Sequence, residues 1–443
     1  MLFILICTVS TSKAQVVFTS LDACIRYAWQ HNPDVAIARQ QVAIQENNLQ
    51  RAWYQILPQL NAYSTLEYNF TLQTQLLPGE IFNQPKGTLI PVQFGTRYNL
   101  AAIGEASMPL VSPGKWKEVN VARVKEQYAG MELQHQQQQM EQQLTVAYYQ
   151  SLLAYKSYTI AQEQQSLADS LHAVVSRRYN QGLVSPVEQQ EVKQLAINAL
   201  ITQQEQWSVW QQRLNDLRLI LQVSPADSLV IQDTLSTTGL PVSREDWKAG
   251  NVAAIKVQQL NQAVNYAQWQ QRRARNLPEL SAYARYGKIA QRNSFDFTAK
   301  DATWFGLGVV GLRLDIPIFA PARQKSDVKE AQLQYEMSLV AGSQTALKEE
   351  IQWNNWYEQY IRCLQSLPHA RESMALATDN YHKTLLQFDS GIIGVEKAIE
   401  RYKDALQAQW QAQQILIQLY QTAILLKSET ADHSLSLITN ANQ

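Results

Sequence analysis

Cysteine is scarce in this chain: Cys7, Cys24 and Cys363 are the only three in 443 residues. Scattered so widely, they offer neither a disulfide framework nor a cysteine metal cluster. Net charge is missing as well, with 38 Lys+Arg against 38 Asp+Glu, and no Lys/Arg run or basic face stands out. The electrostatic footprint of a nucleic-acid binder is therefore lacking, and no nucleic-acid partner is expected. Beyond the first residues no apolar run reaches ~18, the length a membrane-crossing helix needs. No G-x-S-x-G, H-E-x-x-H, C-x-x-C or P-loop pattern occurs, so neither enzyme chemistry nor a cofactor or metal is expected. Disorder is excluded by a hydrophobic content of 46%, while charged residues reach only 17% and Gln fills much of the polar surface.

The chain opens on Met1-Leu2-Phe3-Ile4-Leu5-Ile6-Cys7, an apolar run closed by Ser12-Lys13-Ala14 before Gln15. Small residues at the positions a signal peptidase reads make residues 1–14 an expected export leader, although a basic n-region is lacking.

After Pro113 no proline interrupts the chain as far as Asn180, and apolar residues (Met140, Leu144, Tyr148, Leu152, Tyr155) recur at three- and four-residue steps. That period predicts one helix, roughly 100 Å long at ~1.5 Å per residue. It stops at Asn180-Gln181-Gly182, and a new helix follows Ser185-Pro186. A twin runs from Pro321 to Asp389 and stops at Ser390-Gly391. Further blocks match in the same order: Met108-Pro109-Leu110 with Ile316-Pro317-Ile318, and Leu57-Pro58-Gln59-Leu60 with Leu277-Pro278-Glu279-Leu280. The chain is read as an internal duplication. The first repeat covers 15–222, a linking segment 223–243, the second repeat 244–430, and a loose polar tail 431–443.

Ahead of each long helix the period drops to two. Leu60, Ala62, Ser64, Leu66 and Tyr68 alternate with Asn61, Tyr63, Thr65, Glu67 and Asn69. Leu100, Ala102, Gly104 and Ala106 oppose Asn99, Ala101, Ile103 and Glu105 after a loop at about 74–95. The second half places strands near Leu280–Ile289 and Trp304–Ile318, after a helix over Arg244–Asn276. Each strand of the first pair is about ten residues, enough to cross a bilayer tilted. Alternation alone also permits a soluble sheet with one wet face. Four strands cannot close a barrel, and an open edge in hydrocarbon costs several kcal/mol per unpaired group, so membrane strands would have to be pooled between chains. Gly306-Leu307-Gly308-Val309-Val310-Gly311 fits G-x-G-x-x-G but opens no helix, which argues against dinucleotide binding. Trp207, Trp210, Trp353, Trp356 and Trp410 are read as helix-packing residues, and His135, His172 and His382 as surface groups.

The order of elements resembles the TolC-like outer-membrane efflux protein family. The residues that carry the resemblance are Asn32-Pro33, Leu57-Pro58-Gln59-Leu60, Met108-Pro109-Leu110, Ile316-Pro317-Ile318-Phe319, Arg178-Tyr179-Asn180-Gln181-Gly182-Leu183-Val184 and Gln387-Phe388-Asp389-Ser390-Gly391. The resemblance implies a mainly α chain with a four-stranded β portion. It further implies a homotrimer with a shared twelve-stranded barrel in outer-membrane lipid and a helical barrel in the periplasm. Such a duct passively conducts drugs, metals or proteins delivered by a periplasmic membrane-fusion adaptor and an inner-membrane transporter of RND or ABC type. The adaptor-contact tips would be Gly182, Leu183, Val184 and Ser185 with Gly391, Ile392, Ile393 and Gly394. The periplasmic entrance gate would be Glu188, Glu191, Lys397 and Glu400, where Lys397 departs from the family's acid. Charges in a first helical turn also serve merely to balance the helix dipole. The competing reading is a soluble coiled-coil scaffold with a small β domain.

Overall fold

The computed structural model describes residues 15–225, 227–233, 242–299, 303–318 and 321–428. The expected leader at 1–14, the tail at 431–443 and part of the linking segment lie outside the described residues. Strand β1 (Gln15–Phe18) leads into α1 (Leu21–His31). The Ser20 hydroxyl caps α1 by accepting the Ala23 N–H at 3.3 Å. Asn32 then ends α1, and its Oδ1 accepts the Asp34 N–H at 2.9 Å to open α2 (Pro33–Tyr54) with proline at the first position. Strands β2 (Gln59–Tyr68), β3 (Gln73–Pro78), β4 (Leu89–Phe94) and β5 (Tyr98–Val111) come next. The long helix α3 (Pro113–Asn180) turns into α4 (Pro186–Leu221). Strand β6 (Ser228–Ile231), α5 (Ala253–Ala274), β7 (Glu279–Arg292), β8 (Phe305–Asp315), α6 (Pro321–Asp389) and α7 (Val395–Ser428) complete the order.

Three features depart from the expectations. The 74–95 stretch is an antiparallel pair, β3 with β4, joined through a 3-10 turn at Gly79–Phe82. Its prolines sit where two-stranded pairing tolerates a missing N–H. The helix expected from Arg244 starts only at Ala253. Val242 and Trp247 pack against the Trp353 cluster, with the two indoles 5.6 Å apart, and this draws the segment off a helical path. A parallel pair, β1 with β6, was not foreseen at all. Helix α6 also runs through Pro368, which cannot donate to the Leu364 carbonyl.

The chain divides into two compact units, and each draws on both halves of the sequence. The first comprises Met1–Val42, Tyr128–Leu260 and Val340–Gln443. It holds three buried clusters. One gathers Cys24, Ala28, Leu144, Tyr148, Leu217 and Leu221 beside the β1–β6 pair, and the Tyr148 hydroxyl donates to Asp233 at 2.7 Å. A second gathers Leu171, Val175, Val192, Tyr381, Phe388, Ile399 and Tyr402. The third is built on Trp353, Tyr360, Leu419 and Leu426. Each such side chain contributes about 1.5–3 kcal/mol by leaving water. Several polar groups inside are paired: Gln164 donates to Gln409 at 3.0 Å, Gln413 to Ser157 at 3.1 Å, and the Tyr381 hydroxyl to the Leu167 carbonyl at 2.7 Å, whereas the buried Trp353 and Trp247 indole N–H groups have no partner among the described residues. Buried Cys24 and Cys363 are free thiols, and burial pushes the Cys24 thiol up to about 12. Trp210 packs on Tyr155 and Trp353 is buried as expected, whereas Trp207 is exposed.

The second unit comprises Ala43–Gln127 and Asn261–Leu339. Its centre is an antiparallel four-stranded sheet in the order β2-β5-β7-β8. Lys115 pairs with Glu279 at 3.0 Å and Arg275 with Glu118 at 3.4 Å, which fixes the helix ends against the strand starts.

Candidate functional site

Register decides which side chains share a face of the sheet. Leu60, Leu66, Leu100, Ala284, Val310 and Leu312 fall on one face. Asn61, Thr65, Glu105, Arg285 and Arg313 fall on the other. On this polar face Arg285 pairs with Glu105 across β5 and β7 at 3.1 Å. The apolar face carries two cations, Lys288 and Arg292, both toward the Tyr98 end of β7. At that end Tyr68 and Tyr98 lie 4.8 Å apart and Phe295 meets Tyr98 edge-on at 5.7 Å. All of β2 is exposed, and among the described residues no strand lies beyond β2 or β8. The G-x-G-x-x-G glycines lie inside β8, and at Gly311 a Cβ would stand 2.8 Å from the Tyr283 ring. Gly311 thus makes room for the Tyr283 ring of the neighbouring strand, while a Cβ at Gly306 would meet open space.

The two helix turns are built alike. Gly182 has φ +75° and Gly391 φ +77°. The Gly182 N–H donates to Tyr179 at 2.8 Å and the Leu183 N–H to Arg178 at 3.0 Å. Gly391 donates to Phe388 at 2.9 Å and Ile392 to Gln387 at 2.9 Å. Both are Schellman closures, which need a left-handed residue at the point where each glycine sits. Leu183 and Ile392 are exposed at matching positions, whereas Val184 is buried and Ile393 packs against the second cluster. Ser185 caps α4: its hydroxyl accepts the Glu188 N–H at 3.2 Å and its own N–H donates to the Glu188 carboxylate at 2.7 Å. Gly394 stands at the same place before α7 and has no side chain to cap with.

The four first-turn residues separate into different partnerships. The hydrogen bond from the Ser185 backbone holds the Glu188 carboxyl below its ordinary range. Glu191 reaches Lys403 on α7 at 3.8 Å. Lys397 pairs with Glu400 at 2.6 Å, and Arg401 touches Glu400 at 3.4 Å. The Lys397 hydrogen bond lowers the Glu400 carboxyl first, helped by the charges of Lys397 and Arg401. The Lys397 charge is thus neutralised by its own neighbour Glu400.

Reading the sequence by motif missed what ties the two turns together. Arg178 donates to the Phe388 carbonyl and lies over that residue's ring, 4.9 Å from its centre. Arg177 pairs with Asp389 at 3.0 Å. Two adjacent arginines at the end of α3 were the available signal, since helix C-termini favour cations. Among the described residues no group of His, Cys, Asp and Glu could hold a metal ion, and no helix is long and apolar enough to cross a membrane.

No protein-family model matches the chain, and no curated protein does. Solved structures do. The outer-membrane protein VceC from Vibrio cholerae superposes with a TM-score of 0.78 at 13% identity, over 93% of this chain and 96% of that one. The outer-membrane channel OprN gives 0.78 at 13%, over 93% and 89%. CusC, described in connection with transmembrane channel formation, gives 0.75 at 14%, over 95% of each chain. At such identities the likeness is one of architecture, and it spans essentially the whole of each partner: this chain has the fold of the TolC-like outer-membrane channels.

Proposed function

We propose that the protein is the outer-membrane duct of a tripartite efflux or type I secretion system. The single observation that carries this reading is the two-faced sheet with both edges open. A soluble sheet needs one wet face and a covered apolar one, whereas here Leu60, Val310 and Leu312 on the apolar face are 81%, 86% and 67% exposed. Three chains pooling four strands each would close the edges, turn the apolar face to lipid and enclose the polar face with its Glu105–Arg285 pair. The sequence repeats at 15–222 and 244–430 would each supply two of those strands, followed by a long and a shorter helix. The helices would then line a periplasmic path rich in Gln. Conduction would be passive, driven by an inner-membrane transporter through a periplasmic adaptor. Gly182, Leu183, Val184 and Ser185 with Gly391, Ile392, Ile393 and Gly394 would meet that adaptor, the exposed Leu183 and Ile392 first. Glu188, Glu191, Lys397 and Glu400 would stand at the entrance as a largely paired ring. The test is membrane fractionation followed by heated and unheated gel mobility. An outer-membrane trimer that shifts on heating is expected. A soluble single chain would return the reading to the coiled-coil scaffold.

A further inference from the structure

The sequence shows no basic run, but the fold assembles a basic cleft from two helix ends. In the second unit a cleft of about 400 Å³ lies between the end of α5 and the start of α6. Arg273, Asn276, Lys325, Val328, Lys329 and Gln332 line it, and no carboxylate does. Asp327, between Lys325 and Lys329 on α6, is not among the lining residues, and other carboxylates of the neighbouring segments have partners. Glu118 is held by Arg275 at 3.4 Å and Gln271 at 3.2 Å, and Glu279 by Lys115 at 3.0 Å. Glu330 accepts from Gln334 at 3.2 Å and Glu336 from Gln332 at 2.7 Å. Among the described residues the three cleft cations form no ion pair within the chain. One of them is also held in place: the Arg273 guanidinium lies 5.5 Å from the Trp269 ring, and Trp269 stacks on Tyr335 at 6.0 Å and 13°.

Three cations with the Asn276 amide and an aliphatic wall suit a phosphate-bearing anion. The position of the cleft in the chain narrows the source. Arg273 and Asn276 come just before β7, and Lys325 and Lys329 lie in the opening turns of α6, shortly after β8. Along α6, Lys329 is at most roughly 12 Å of helix from Pro321. Headgroup layers are roughly 6 Å deep on each side of the hydrocarbon, and long cationic side chains reach along a surface toward them. If β7 and β8 cross the bilayer, the cleft meets the periplasm-facing headgroups. Resting on the duct reading, we propose that this cleft binds the phosphate group of an anionic phospholipid in that leaflet and so anchors the duct at a fixed depth.

The full-length protein, purified in neutral detergent, is tested by native mass spectrometry with phosphatidylglycerol or phosphatidylcholine. Retention of phosphatidylglycerol should exceed that of phosphatidylcholine by about a hundredfold, at about fivefold for each of the three surface cations. The double substitution Lys325→Gln/Lys329→Gln should cut that preference about tenfold or more, and Arg273→Gln alone about fivefold. Lys193→Gln and Lys348→Gln, outside the cleft, should leave it intact. Heated and unheated gels confirm that each variant still assembles. Equal retention of the two lipids by an assembled trimer, or a preference untouched by the cleft variants, overturns the lipid site while leaving the duct standing. Stabilisation by inorganic phosphate without any lipid preference overturns the lipid source and assigns the cleft to a soluble phosphate. A soluble single chain that retains neither lipid overturns both proposals.

Discussion

Arg178 joins the two halves of the duplicated chain at their turns: its guanidinium donates to the Phe388 backbone carbonyl and covers the Phe388 ring. The same carbonyl accepts the Gly391 N–H at 2.9 Å, so the side chain of one turn completes the backbone closure of the other. Replacing Arg178 with leucine keeps much of the aliphatic packing and removes both the donor and the cation over the ring. A loss of about 2 kcal/mol is expected for this half-buried contact. Hydrogen exchange should then accelerate at 386–394 and, if the chain is the proposed duct, conductance in planar bilayers should rise. Unchanged exchange across that segment would show that the turns hold without the arginine.

The paired glycines should not respond equally to substitution. Both sit at positive φ, where any side chain costs about 1–2 kcal/mol. At Gly182 an added Cβ meets open space, whereas at Gly391 it stands 3.4 Å from the Arg178 guanidinium. Gly391→Val should therefore lower thermal stability and, if the chain is the proposed duct, export more than Gly182→Val. Equal losses would mean that backbone strain alone matters at the second turn.

What the sequence disclosed follows a physical pattern. Periodicity placed α3 and α6 and the four strands of the larger sheet, because a helix or sheet face must alternate with its solvent whatever it later packs on. Glycine marked both turns, because only a residue without Cβ enters that conformation freely. Contacts between distant segments left no local trace. Arg178 and Phe388 lie 210 positions apart, and nothing near Trp247 announces that it leaves the helical path to reach Trp353. The basic cleft escaped for the same reason, since its cations come from two stretches that only folding brings together. The first-turn charges were visible as residues, but their pairing was not. Lys397 read as a break in an acidic ring, and in the fold it is the partner of Glu400.

Reversing Glu400 tests that pairing. Glu400→Lys would leave Lys397 and Arg401 facing a third cation where they now share a carboxylate. The ring should become anion-preferring, read as a shifted reversal potential under a salt gradient. The pH dependence has a definite sign. The Glu400 carboxyl is lowered in the fold, so its pairing is intact above the ordinary carboxylate range and is lost as pH falls through the lowered value. If the chain is the proposed duct, its selectivity should therefore hold at neutral pH and drift toward anions only under acid. A selectivity indifferent to Glu400→Lys would remove the residue from the entrance.

Glu141 on α3 has the opposite sign. Burial pushes its carboxyl from 4.5 up to about 7. A raised acid binds its proton more tightly in the folded state, so stability is highest at low pH, declines as pH rises from the unfolded value near 4.5 to the folded value near 7, and is level above that. Discounted for its partial exposure, the ionised carboxylate costs about 2 kcal/mol at pH above 7. Glu141→Gln should raise the unfolding midpoint in alkaline buffer and flatten its pH profile across that window. A variant that is less stable than the parent in alkaline buffer would show that the carboxylate makes a contact outweighing its burial.

The two faces of the sheet make a prediction that a soluble β domain does not share. Val310 lies near the middle of β8 on the apolar face and is 86% exposed in the single chain. Thr65 lies near the middle of β2 on the polar face, opposite Ala101. If lipid covers the apolar face, Val310→Arg places a cation near the bilayer midplane at about 2–4 kcal/mol. Thr65→Arg places the same charge in a watery interior that already holds Arg285 and Glu105. The first substitution should cut heat-modifiable trimer in the outer membrane severalfold, while the second should assemble normally and change only conductance. A water-exposed sheet would tolerate arginine at both positions, because neither side chain is buried within the chain and only a low-dielectric covering can set them apart.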